Sequence, residues 1–429
     1  MPNKLIEKFR NREARIAVMG LGYVGLPLVR LLLSKGFPVI GFDTDQKKID
    51  TLAGGKSYIQ SVPDEIIQKE TFSPTSNPND LSAANAIIIC VPTPLTSEGQ
   101  PDLSYIRNTS KTIGDHFSEG CLVVLESSTY PGTTREEMLP ELERESKKCG
   151  QDFYLAFSPE REDPGNKDFS NDIIPKLVGG IDEPSKNAAT AFYREIVSGV
   201  HEVSSCEVAE AAKLMENIYR CVNIAMVNEM KMCFDKMNID VWEVISAAAT
   251  KPFGFQAFYP GPGMGGHCIP IDPFYLAWRA REFGFSTRFI ELAGEINTQM
   301  PFYVVSKVEE TLGKPLKDAH VLLLGLSYKK DIDDPRESPS FKILERLLGK
   351  GAHVVFHDPF YKQFPTMRHY RHLEVAPVDL TEEEIKKADV VVLATDHSSF
   401  DYDWIAKHAN KIVDTRNAFD GVEGKITKA

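Results

Sequence analysis

Two glycine-rich stretches contain the residues that are best placed to do chemistry. The first reads Gly20-Leu-Gly-Tyr-Val-Gly25, a form that suits the pyrophosphate of a dinucleotide. The second reads Gly263-Met-Gly-Gly-His-Cys-Ile-Pro-Ile-Asp272 and places a lone cysteine and a carboxylate on a loop with few side chains. A redox cofactor together with a nucleophilic thiol would allow an oxidation that passes through a covalent intermediate.

The first stretch has the context that a dinucleotide site requires, because it follows an apolar run of strand type and opens a helix. Gly20 permits the tight turn, Gly22 lets the backbone approach the pyrophosphate, and Gly25 lets the helix pack closely on the sheet. The helix N-terminus supplies N–H donors for the phosphates. Asp43 ends the next strand, where a carboxylate would accept hydrogen bonds from ribose hydroxyls and repel a 2′-phosphate, which favours NAD over NADP. The alternative is a glycine turn with a capping acid.

Two later loops complete the predicted cofactor site. Val91-Pro-Thr-Pro94 and Glu126-Ser-Ser-Thr129 follow further strands of the same sheet, so both would face the dinucleotide. The predicted NAD-binding residues are Gly20, Gly22, Tyr23, Val24, Gly25, Asp43, Lys48, Pro92, Thr93 and Thr129.

Cys268 in the second stretch is the candidate nucleophile. No other cysteine is close to it in the sequence, so a metal site is a poor interpretation and no metal is predicted. His267 is expected to be structural, since neighbours in an extended segment point to opposite faces. Asp272 could simply cap the helix that begins there. The glycines of the stretch favour close approach of the backbone to a ligand.

Three further polar residues have ordinary explanations when spacing alone is considered. Lys213 and Asn217 are four residues apart and share one helix face, which is usually a solvated surface. Glu160, in Phe157-Ser-Pro-Glu160-Arg161, is a loop acid that by itself indicates no special role.

The bulk composition disfavours several classes of protein. The 429 residues carry a formal net charge of −12, which disfavours binding to nucleic acid or to an anionic membrane. The cysteine count, seven, is odd and no Cys-x-x-Cys pair occurs, so neither a disulfide framework nor a zinc knuckle is supported, and Cys90 and Cys121 are expected to be inert core thiols. There is no apolar core of a signal peptide and no run of ~20 apolar residues that could span a membrane. A reducing cytoplasm fits these features.

Strands and helices alternate at both ends of the chain. Apolar runs at 15–19, 38–42, 86–90 and 122–125 predict strands and 26–34 predicts a helix, which together indicate a doubly wound parallel sheet. The last third repeats this pattern, with strands at 319–324, 352–356 and 388–394 and a helix at 340–348. Asp358 then stands where Asp43 stands in the first pattern. We interpret the repeat as a degenerate second Rossmann-like half with a second nucleotide site; chance similarity is the alternative.

The middle of the chain is predicted to be helical. Residues 204–237 contain no Pro or Gly and form one long helix or two in close succession, and further helices are predicted at 241–249, 274–283 and 289–312. The expected fold is α/β, with two Rossmann-like doubly wound parallel-sheet domains joined by a helical middle domain with a long central helix.

Taken together, these segments resemble the UDP-sugar 6-dehydrogenases, the family of UDP-glucose dehydrogenase, from about Arg15 to Phe419. The blocks that carry the resemblance are Gly20-Leu-Gly-Tyr-Val-Gly-Leu-Pro27, Ser128-Thr-Tyr-Pro-Gly-Thr133, Ser158-Pro-Glu-Arg161, Ala212-Lys-Leu-Met-Glu-Asn217, Gly265-Gly-His-Cys268-Ile-Pro-Ile-Asp272 and Lys329-Lys-Asp-Ile-Asp-Asp-Pro-Arg336. The form Tyr259-Pro-Gly-Pro-Gly-Met-Gly-Gly-His-Cys-Ile-Pro is similar to the branch that acts on UDP-N-acetylhexosamines, and within it to the UDP-N-acetylglucosamine enzymes of surface-polysaccharide synthesis.

The resemblance implies three domains, a cofactor and a substrate class. The domains would be an NAD-binding domain (1–200), a helical dimerisation domain (201–313) and a UDP-sugar-binding domain (314–429), assembled as a homodimer or higher homo-oligomer through the central helix. The implied catalytic residues are Cys268, Lys213, Asn217, Asp272, Glu160 and Thr129. The implied substrate-binding residues are Glu160, Arg161, Lys213, Asn217, Tyr259, Gly265, Lys329, Arg336 and Arg416.

The implied reaction oxidises the sugar C6 alcohol to a carboxylate while two hydrides pass to two NAD⁺. Cys268 would form a thiohemiacetal and then a thioester, which water activated by Glu160 would hydrolyse. The expected substrate is UDP-N-acetylglucosamine, and the alternatives are UDP-N-acetylmannosamine, UDP-N-acetylgalactosamine and UDP-glucose. The UDP-glucose enzymes carry an arginine shortly before the glycine stretch, where this chain reads Thr250-Lys-Pro-Phe-Gly254, which counts against UDP-glucose.

Two other functions stay open on the sequence. A two-electron dehydrogenase that stops at the aldehyde, or acts on a hydroxy acid, would not need Cys268. A non-catalytic NAD-binding module would have no use for the thiol. The amount of NADH formed per sugar consumed distinguishes all three.

Overall fold

The computed structural model describes residues 2–59, 61–96, 98–144, 147–161, 173–266, 269–365, 367, 369–422 and 425–429. The predicted nucleophile Cys268 and its neighbour His267 therefore lie outside the described residues. The chain forms two compact units, one built from residues 1–216 and 274–285 and the other from residues 217–273 and 286–429.

The predicted strands and helices are confirmed, with boundaries that agree within two residues. The strands are β1 Ile16–Met19, β2 Val39–Phe42, β3 Phe72–Thr75, β4 Ala86–Ile89, β5 Cys121–Leu125, β6 Phe153–Phe157, β7 Lys176–Gly180, β8 Val200–Glu202, β9 His320–Leu324, β10 His353–His357, β11 Ala376–Pro377, β12 Val390–Leu393, β13 Ile412–Asp414 and β14 Ile426–Lys428. The helices are α1 Pro2–Arg10, α2 Gly25–Ser34, α3 Gln46–Ala53, α4 Asp64–Ile67, α5 Ser104–His116, α6 Leu139–Leu142, α7 Glu183–Tyr193, α8 Cys206–Lys236, α9 Val241–Ala249, α10 Asp272–Glu282, α11 Arg288–Leu312, α12 Pro339–Gly349, α13 Glu382–Lys387 and α14 Tyr402–His408, with a 3-10 helix at Pro78–Ala83 and a π-helix at Thr134–Met138.

The sheet of the first unit has the strand order β3-β2-β1-β4-β5-β6-β7-β8. Strands β1 to β6 are parallel, and the central ones are buried along their whole length, as continuous apolar runs in a covered parallel sheet should be. β7 pairs antiparallel with β6, and β8 runs parallel to β7. The predicted parallel sheet is confirmed for six strands, whereas β7 and β8 run the opposite way and are joined to each other by the crossover helix α7.

The second unit contains a sheet with the order β11-β10-β9-β12-β13-β14, in which every pair is parallel. Its strand order matches that of the six parallel strands of the first sheet. The backbone N–H of Leu21 donates to Oδ2 of Asp43 at 2.9 Å, and that of Leu326 donates to Oδ2 of Asp358 at 2.6 Å. The predicted second Rossmann-like half is confirmed.

The two equivalent carboxylates have different surroundings. Asp358 has a side chain with no exposed surface, and it also accepts hydrogen bonds from the N–H groups of Ser327 and Phe360 and contacts Nε2 of His397 at 3.2 Å. The backbone N–H of Asp331 donates to Nδ1 of His397 at 3.0 Å, which places the ring proton on Nε2, facing Asp358.

The predicted central helix is α8, which runs without interruption for 31 residues. Good helix formers fill it, and neither glycine nor proline breaks it. Among the helices that the structure describes, we find none with the length and apolar character needed to cross a bilayer.

Candidate active site

The glycine loop after β1 belongs to the first unit, and its three glycines serve different purposes. Gly20 has a φ of +92°, and a Cβ there would lie 2.6 Å from the carbonyl oxygen of Cys90. A Cβ at Gly25 would lie 1.9 Å from the carbonyl oxygen of Gly20, so α2 can start this close to the loop only with glycine. A Cβ at Gly22 would meet no protein atom within 4 Å. The backbone at Gly22 is therefore open to a phosphate group at the N-terminus of α2.

Asp43 lies directly after β2 and is 8% exposed. Its Oδ2 accepts hydrogen bonds from the Leu21 N–H at 2.9 Å and from Nζ of Lys48 at 3.0 Å, and its Oδ1 accepts one from the Asp45 N–H. Tyr58 closes the same corner by donating to the carbonyl oxygen of Leu21 at 2.6 Å. A carboxylate fixed beside the glycine loop suits the ribose hydroxyls of a dinucleotide, so these residues fit NAD.

The loops after β4 and β5 contain the other predicted cofactor residues. Thr93 and Thr129 are each 1% exposed, whereas Pro92 is exposed. The hydroxyl of Thr129 donates to the hydroxyl of Thr133 at 2.5 Å, which fixes its direction. Tyr23 and Val24 in the glycine loop are partly buried.

A residue that the sequence analysis misses, Glu210 on α8, holds the loop after β5. It is fully buried and accepts hydrogen bonds from the N–H of Gly132 at 2.6 Å and from both the N–H and the hydroxyl of Thr134 at 2.9 and 2.6 Å. Burial raises the pKa of Glu210 to about 7, although the three donors oppose this rise. The sequence offers one signal only, the position of Glu210 one helix turn before Lys213.

Glu160 and Lys213, both predicted catalytic residues, are in contact in the first unit. Nζ of Lys213, a residue that is 5% exposed, donates to the carbonyl oxygen of Glu160. Oε1 of Glu160 accepts from the N–H of Arg161 at 2.7 Å. The guanidinium of Arg161 pairs with Glu216 at 2.7 Å, so this predicted substrate residue has a protein partner.

Lys176 is a second residue that the sequence analysis misses. It begins β7, and its Nζ donates to Oε2 of Glu160 at 2.8 Å and to Oε2 of Glu126 at 3.0 Å. No local pattern could reveal these contacts, because the partners are 16 and 50 residues away in the sequence.

Asn217 and Asp272 form a buried polar pair in the second unit. Nδ2 of Asn217 donates to Oδ2 of Asp272 at 2.5 Å, and the two residues are 0% and 1% exposed. Oδ1 of Asn217 accepts from the guanidinium of Arg220. Asp272 is the first residue of α10, so it lies at a helix start, as the capping interpretation expects. Its carboxylate contacts Asn217 as well, which a capping role does not require. Lys213 and Asn217 lie one turn apart on α8, so their predicted common face is confirmed, and both residues are buried rather than solvated.

The second glycine stretch packs against the loop that follows β9. A Cβ at Gly265 would lie 2.5 Å from Cβ of Tyr328, and a Cβ at Gly266 would lie 2.9 Å from the Tyr328 ring. The N–H of Gly266 donates to the carbonyl oxygen of Arg336 at 2.9 Å. Packing against Tyr328 and Arg336 restricts these positions to glycine, and close approach of a ligand to this stretch stays a prediction.

Three predicted substrate residues lie in the C-terminal part of the second unit. The guanidinium of Arg336 forms a two-pronged pair with Asp334, with a shortest distance of 2.7 Å. Nη1 of Arg416 lies 2.9 Å from the position that a Cβ on Gly261 would occupy. Lys329 is partly buried in the loop that follows β9.

Tyr259 is also in the second unit and is 55% exposed. Its ring stacks on Trp242 with 5.7 Å between the centroids.

Comparison with known proteins identifies the family. Sequence models of the UDP-glucose/GDP-mannose dehydrogenase family match the chain in three places: the NAD binding domain at residues 14–197, the central domain at 207–299 and the UDP binding domain at 322–421. The predicted family and cofactor are confirmed.

Individual relatives match over nearly the whole chain. The UDP-N-acetyl-D-glucosamine 6-dehydrogenase of Pseudomonas aeruginosa is 36% identical over 395 residues, covering 91% of this chain and 92% of the relative. The UDP-N-acetyl-D-mannosamine dehydrogenase of Pyrococcus horikoshii is 36% identical over 396 residues, covering 90% of each. A solved structure of the UDP-D-ManNAc dehydrogenase from Pyrococcus horikoshii matches with a TM-score of 0.86 at 33% identity, covering 96% of this chain and 97% of that one. The chain therefore belongs to the UDP-glucose/GDP-mannose dehydrogenase family and is an NAD-dependent UDP-sugar dehydrogenase.

Proposed function

We propose that this chain oxidises the C6 hydroxyl of UDP-N-acetylglucosamine to the uronic acid in a four-electron reaction. The observation that carries the proposal is the buried Asn217–Asp272 pair. The pair combines an amide donor with a carboxylate, and it includes the residue four positions after Cys268. A thiol, a nearby carboxylate and a fixed donor are the groups that oxidation through a covalent intermediate needs.

Cys268 is the proposed nucleophile. NAD⁺ held by the glycine loop and Asp43 would supply the hydride acceptor, with one NAD⁺ used in each of the two oxidations. Between them, the thiolate of Cys268 attacks the aldehyde carbon to give a thiohemiacetal, and the second oxidation converts this into a thioester. A free thiol has a pKa of about 8.5, so the cation of Lys213 would raise the thiolate fraction at neutral pH. The first hydroxyl proton would pass to a water held by Asp272 or to Lys213 in its neutral form.

Lys213 and Asn217 are the proposed donors to the oxyanion that develops on the sugar. Both side chains are buried and already make hydrogen bonds, to the Glu160 carbonyl and to Asp272, so their directions are fixed before substrate binds. Donors that are positioned in advance are typically worth about 3–4 kcal/mol each in the transition state.

Glu160 is the proposed base for the last step, hydrolysis of the thioester. Its carboxylate is held by Lys176 at 2.8 Å and keeps 17% of its side-chain surface exposed, which leaves access for a water molecule. Thr129 stays a proposed catalytic and NAD-contacting residue, and the position of its loop directly after β5 supports this.

The UDP group is proposed to bind the C-terminal part of the chain through Lys329, Arg336 and Arg416. All three lie within the residues that match the family's UDP binding domain. Tyr259, Gly265 and Arg161 are further proposed substrate contacts. Binding energy from the nucleotide, far from C6, would orient the sugar for reaction.

We also propose a homodimer or higher homo-oligomer that forms through α8, in a three-domain chain that works in the cytoplasm. Large apolar side chains on α8 support the assembly, because Met215 is 67% exposed and Tyr219 and Met226 are each 47% exposed. The proposed domains 1–200, 201–313 and 314–429 are supported by the separate matches to three family domains.

UDP-N-acetylmannosamine is the second candidate substrate. It is supported by the Pyrococcus horikoshii relative, which has the same 36% identity as the glucosamine enzyme. The two sugars differ in configuration at C2, and N-acetylgalactosamine and glucose complete the set to be tested.

The test is the amount of NADH formed per UDP-sugar consumed, measured for each of these four UDP-sugars. Two NADH per UDP-N-acetylglucosamine, with slower turnover of the other sugars, is the expected result. One NADH per sugar would show that the reaction stops at the aldehyde, and no NADH would show a binding module. Cys268→Ala should bind NAD normally and form no acid, whereas Cys233→Ala, which removes an exposed thiol, should turn over like wild type.

A further inference from the structure

Lys176 occupies a position that the strand register dictates. β6 and β7 pair antiparallel with Phe157 opposite Gly179. Continuing this register by three residues beyond Phe157 places Glu160 opposite Lys176. The lysine side chain, which is 8% exposed, thus lies between the residues that follow β5 and those that follow β6.

The ammonium of Lys176 is shared between two carboxylates. Its Nζ donates to Oε2 of Glu126 at 3.0 Å, to Oε2 of Glu160 at 2.8 Å and to the carbonyl oxygen of Pro159 at 3.3 Å, which uses its three protons. Glu126 has no exposed side-chain surface and also accepts from the hydroxyl of Tyr193 at 2.5 Å. Glu160 is the only one of the three charged groups with appreciable access to solvent, at 17%.

The cluster has two carboxyl groups, of Glu126 and Glu160, and one ammonium group, of Lys176. With both carboxyl groups ionised, it carries one more negative than positive charge largely out of contact with solvent. Burial opposes the charge on Lys176, but Glu126 and Glu160 outweigh it and raise the pKa of the lysine above its usual range. Burial raises the pKa of Glu126, although Lys176 opposes this. The lysine therefore stays charged, and the two carboxylates compete for it.

Two further charged residues lie beside Glu160 among the residues that the structure describes. Lys213 on α8 donates to the carbonyl oxygen of Glu160. Arg161 donates its backbone N–H to Oε1, while its guanidinium pairs with Glu216 on the same helix. Lys176 is the cation that the described contacts place directly on the carboxylate of Glu160.

We propose that Lys176 is a positioning residue that keeps Glu160 ionised and oriented for thioester hydrolysis, and that Glu126 adjusts this effect by sharing the ammonium. This inference rests on the proposed function of Glu160. In the step concerned, the water oxygen bonds to the thioester carbon while Glu160 takes a water proton. The carbon–sulfur bond then breaks, the proton on Glu160 passes to the sulfur to regenerate the Cys268 thiol, and the sugar acid loses its remaining proton to solvent and leaves as a carboxylate.

The two variants Lys176→Met and Glu126→Gln should act in opposite directions. In Lys176→Met the ammonium is absent, so Glu160 takes up a proton at higher pH than in wild type. The loss of hydrolysis that follows this protonation therefore also moves to higher pH. In Glu126→Gln the competing carboxylate is absent, so the ammonium of Lys176 acts on Glu160 alone. The loss of hydrolysis at acidic pH therefore moves to lower pH. Hydrolysis in Lys176→Met should slow by about 10-fold to 100-fold at pH 7, which is less than the full contribution of a general base.

The measurement isolates hydrolysis from the other steps. Enzyme in excess is mixed with NAD⁺ and the UDP-N-acetylhexosamine that the wild type oxidises, quenched in acid, and analysed by intact-protein mass spectrometry for the adduct on Cys268. The rate of adduct decay is recorded from pH 5 to pH 9 for wild type, both variants and Lys56→Met. Lys56 forms an exposed ion pair with Asp64 in the same unit, so its variant should follow the wild-type profile.

Opposite shifts of the acid side of the two profiles would support the inference. A purely structural role for Lys176 would lower thermal stability and leave the pH dependence of adduct decay unchanged, and this result would overturn it. If Lys176→Met does not fold, the shift to lower pH in Glu126→Gln decides the question alone. A wild type that makes acid with no adduct on Cys268 would overturn the proposed function itself, whereas an adduct that decays with the same profile in every variant would overturn only the role of Lys176.

Discussion

Replacing Gly22 with alanine should separate cofactor binding from stability in this fold. A Cβ at Gly22 would have no protein atom within 4 Å, and Gly22 is not among the glycines with positive φ. The folded protein can therefore accept the methyl group without strain. Because alanine restricts the unfolded chain more than glycine does, we expect the free energy of unfolding to rise by about 0.4–1 kcal/mol.

NAD binding should respond in the opposite direction. The methyl group would stand where the backbone approaches the pyrophosphate, and forcing an extra carbon into a close contact typically costs about 1–3 kcal/mol. This cost corresponds to a dissociation constant for NAD that is about 5-fold to 150-fold weaker. Isothermal titration with NAD and urea unfolding of the unliganded protein measure the two quantities independently.

Gly25→Ala is the matched control. Its Cβ would lie 1.9 Å from the carbonyl oxygen of Gly20, so the loop or α2 has to shift. This variant should lose both NAD affinity and about 1–3 kcal/mol of stability. The reasoning would be refuted if Gly22→Ala bound NAD within about twofold of wild type, or if it lost as much stability as Gly25→Ala.

Two further predictions concern buried polar groups. Because burial raises the pKa of Glu210 to about 7 from an ordinary value of 4.5, this group contributes stability below pH 4.5 that disappears as pH rises through 7, a change of about 3 kcal/mol in the free energy of unfolding. Urea unfolding at several pH values should show this slope in wild type and in the exposed control Glu119→Gln but not in Glu210→Gln; equal slopes in all three would contradict it. Asn228 donates to Asn297 at 2.8 Å and accepts from the N–H of Gly261 at 3.0 Å, so Asn228→Ala should cost about 2–4 kcal/mol by leaving buried partners unsatisfied. Gln299→Ala, which removes an exposed amide from α11, should cost less than about 0.5 kcal/mol, and similar losses in both variants would argue against the buried network.

The elements of the fold were predictable because their signals are local. The apolar run before Gly20 and the uninterrupted helix formers of α8 contain what is needed to place β1 and the central helix. The equivalence of Asp43 and Asp358 could also be seen in the sequence, since each acid directly follows a strand that is preceded by another strand and a helix.

Features that depend on distant partners were not predictable. The reversal of β7 relative to β6 follows from pairing, and the apolar run of a strand does not encode its direction. Lys176 is one lysine among many until the fold brings it to Glu126 and Glu160. The reason for glycine at position 265 is the side chain of Tyr328, which comes more than sixty residues later.

The closed surroundings of Asp358 have a consequence for how the two halves can treat a nucleotide. Its oxygens are occupied by backbone N–H groups and by the imidazole of His397, whereas Asp43 shares its oxygens with a lysine that is itself 36% exposed. A sugar hydroxyl could take the place of Lys48 at Asp43. At Asp358 it would have to displace the buried imidazole of His397. Asp358 thus stabilises the fold of the C-terminal half, and any nucleotide bound to this half has to be recognised by the loops around the carboxylate.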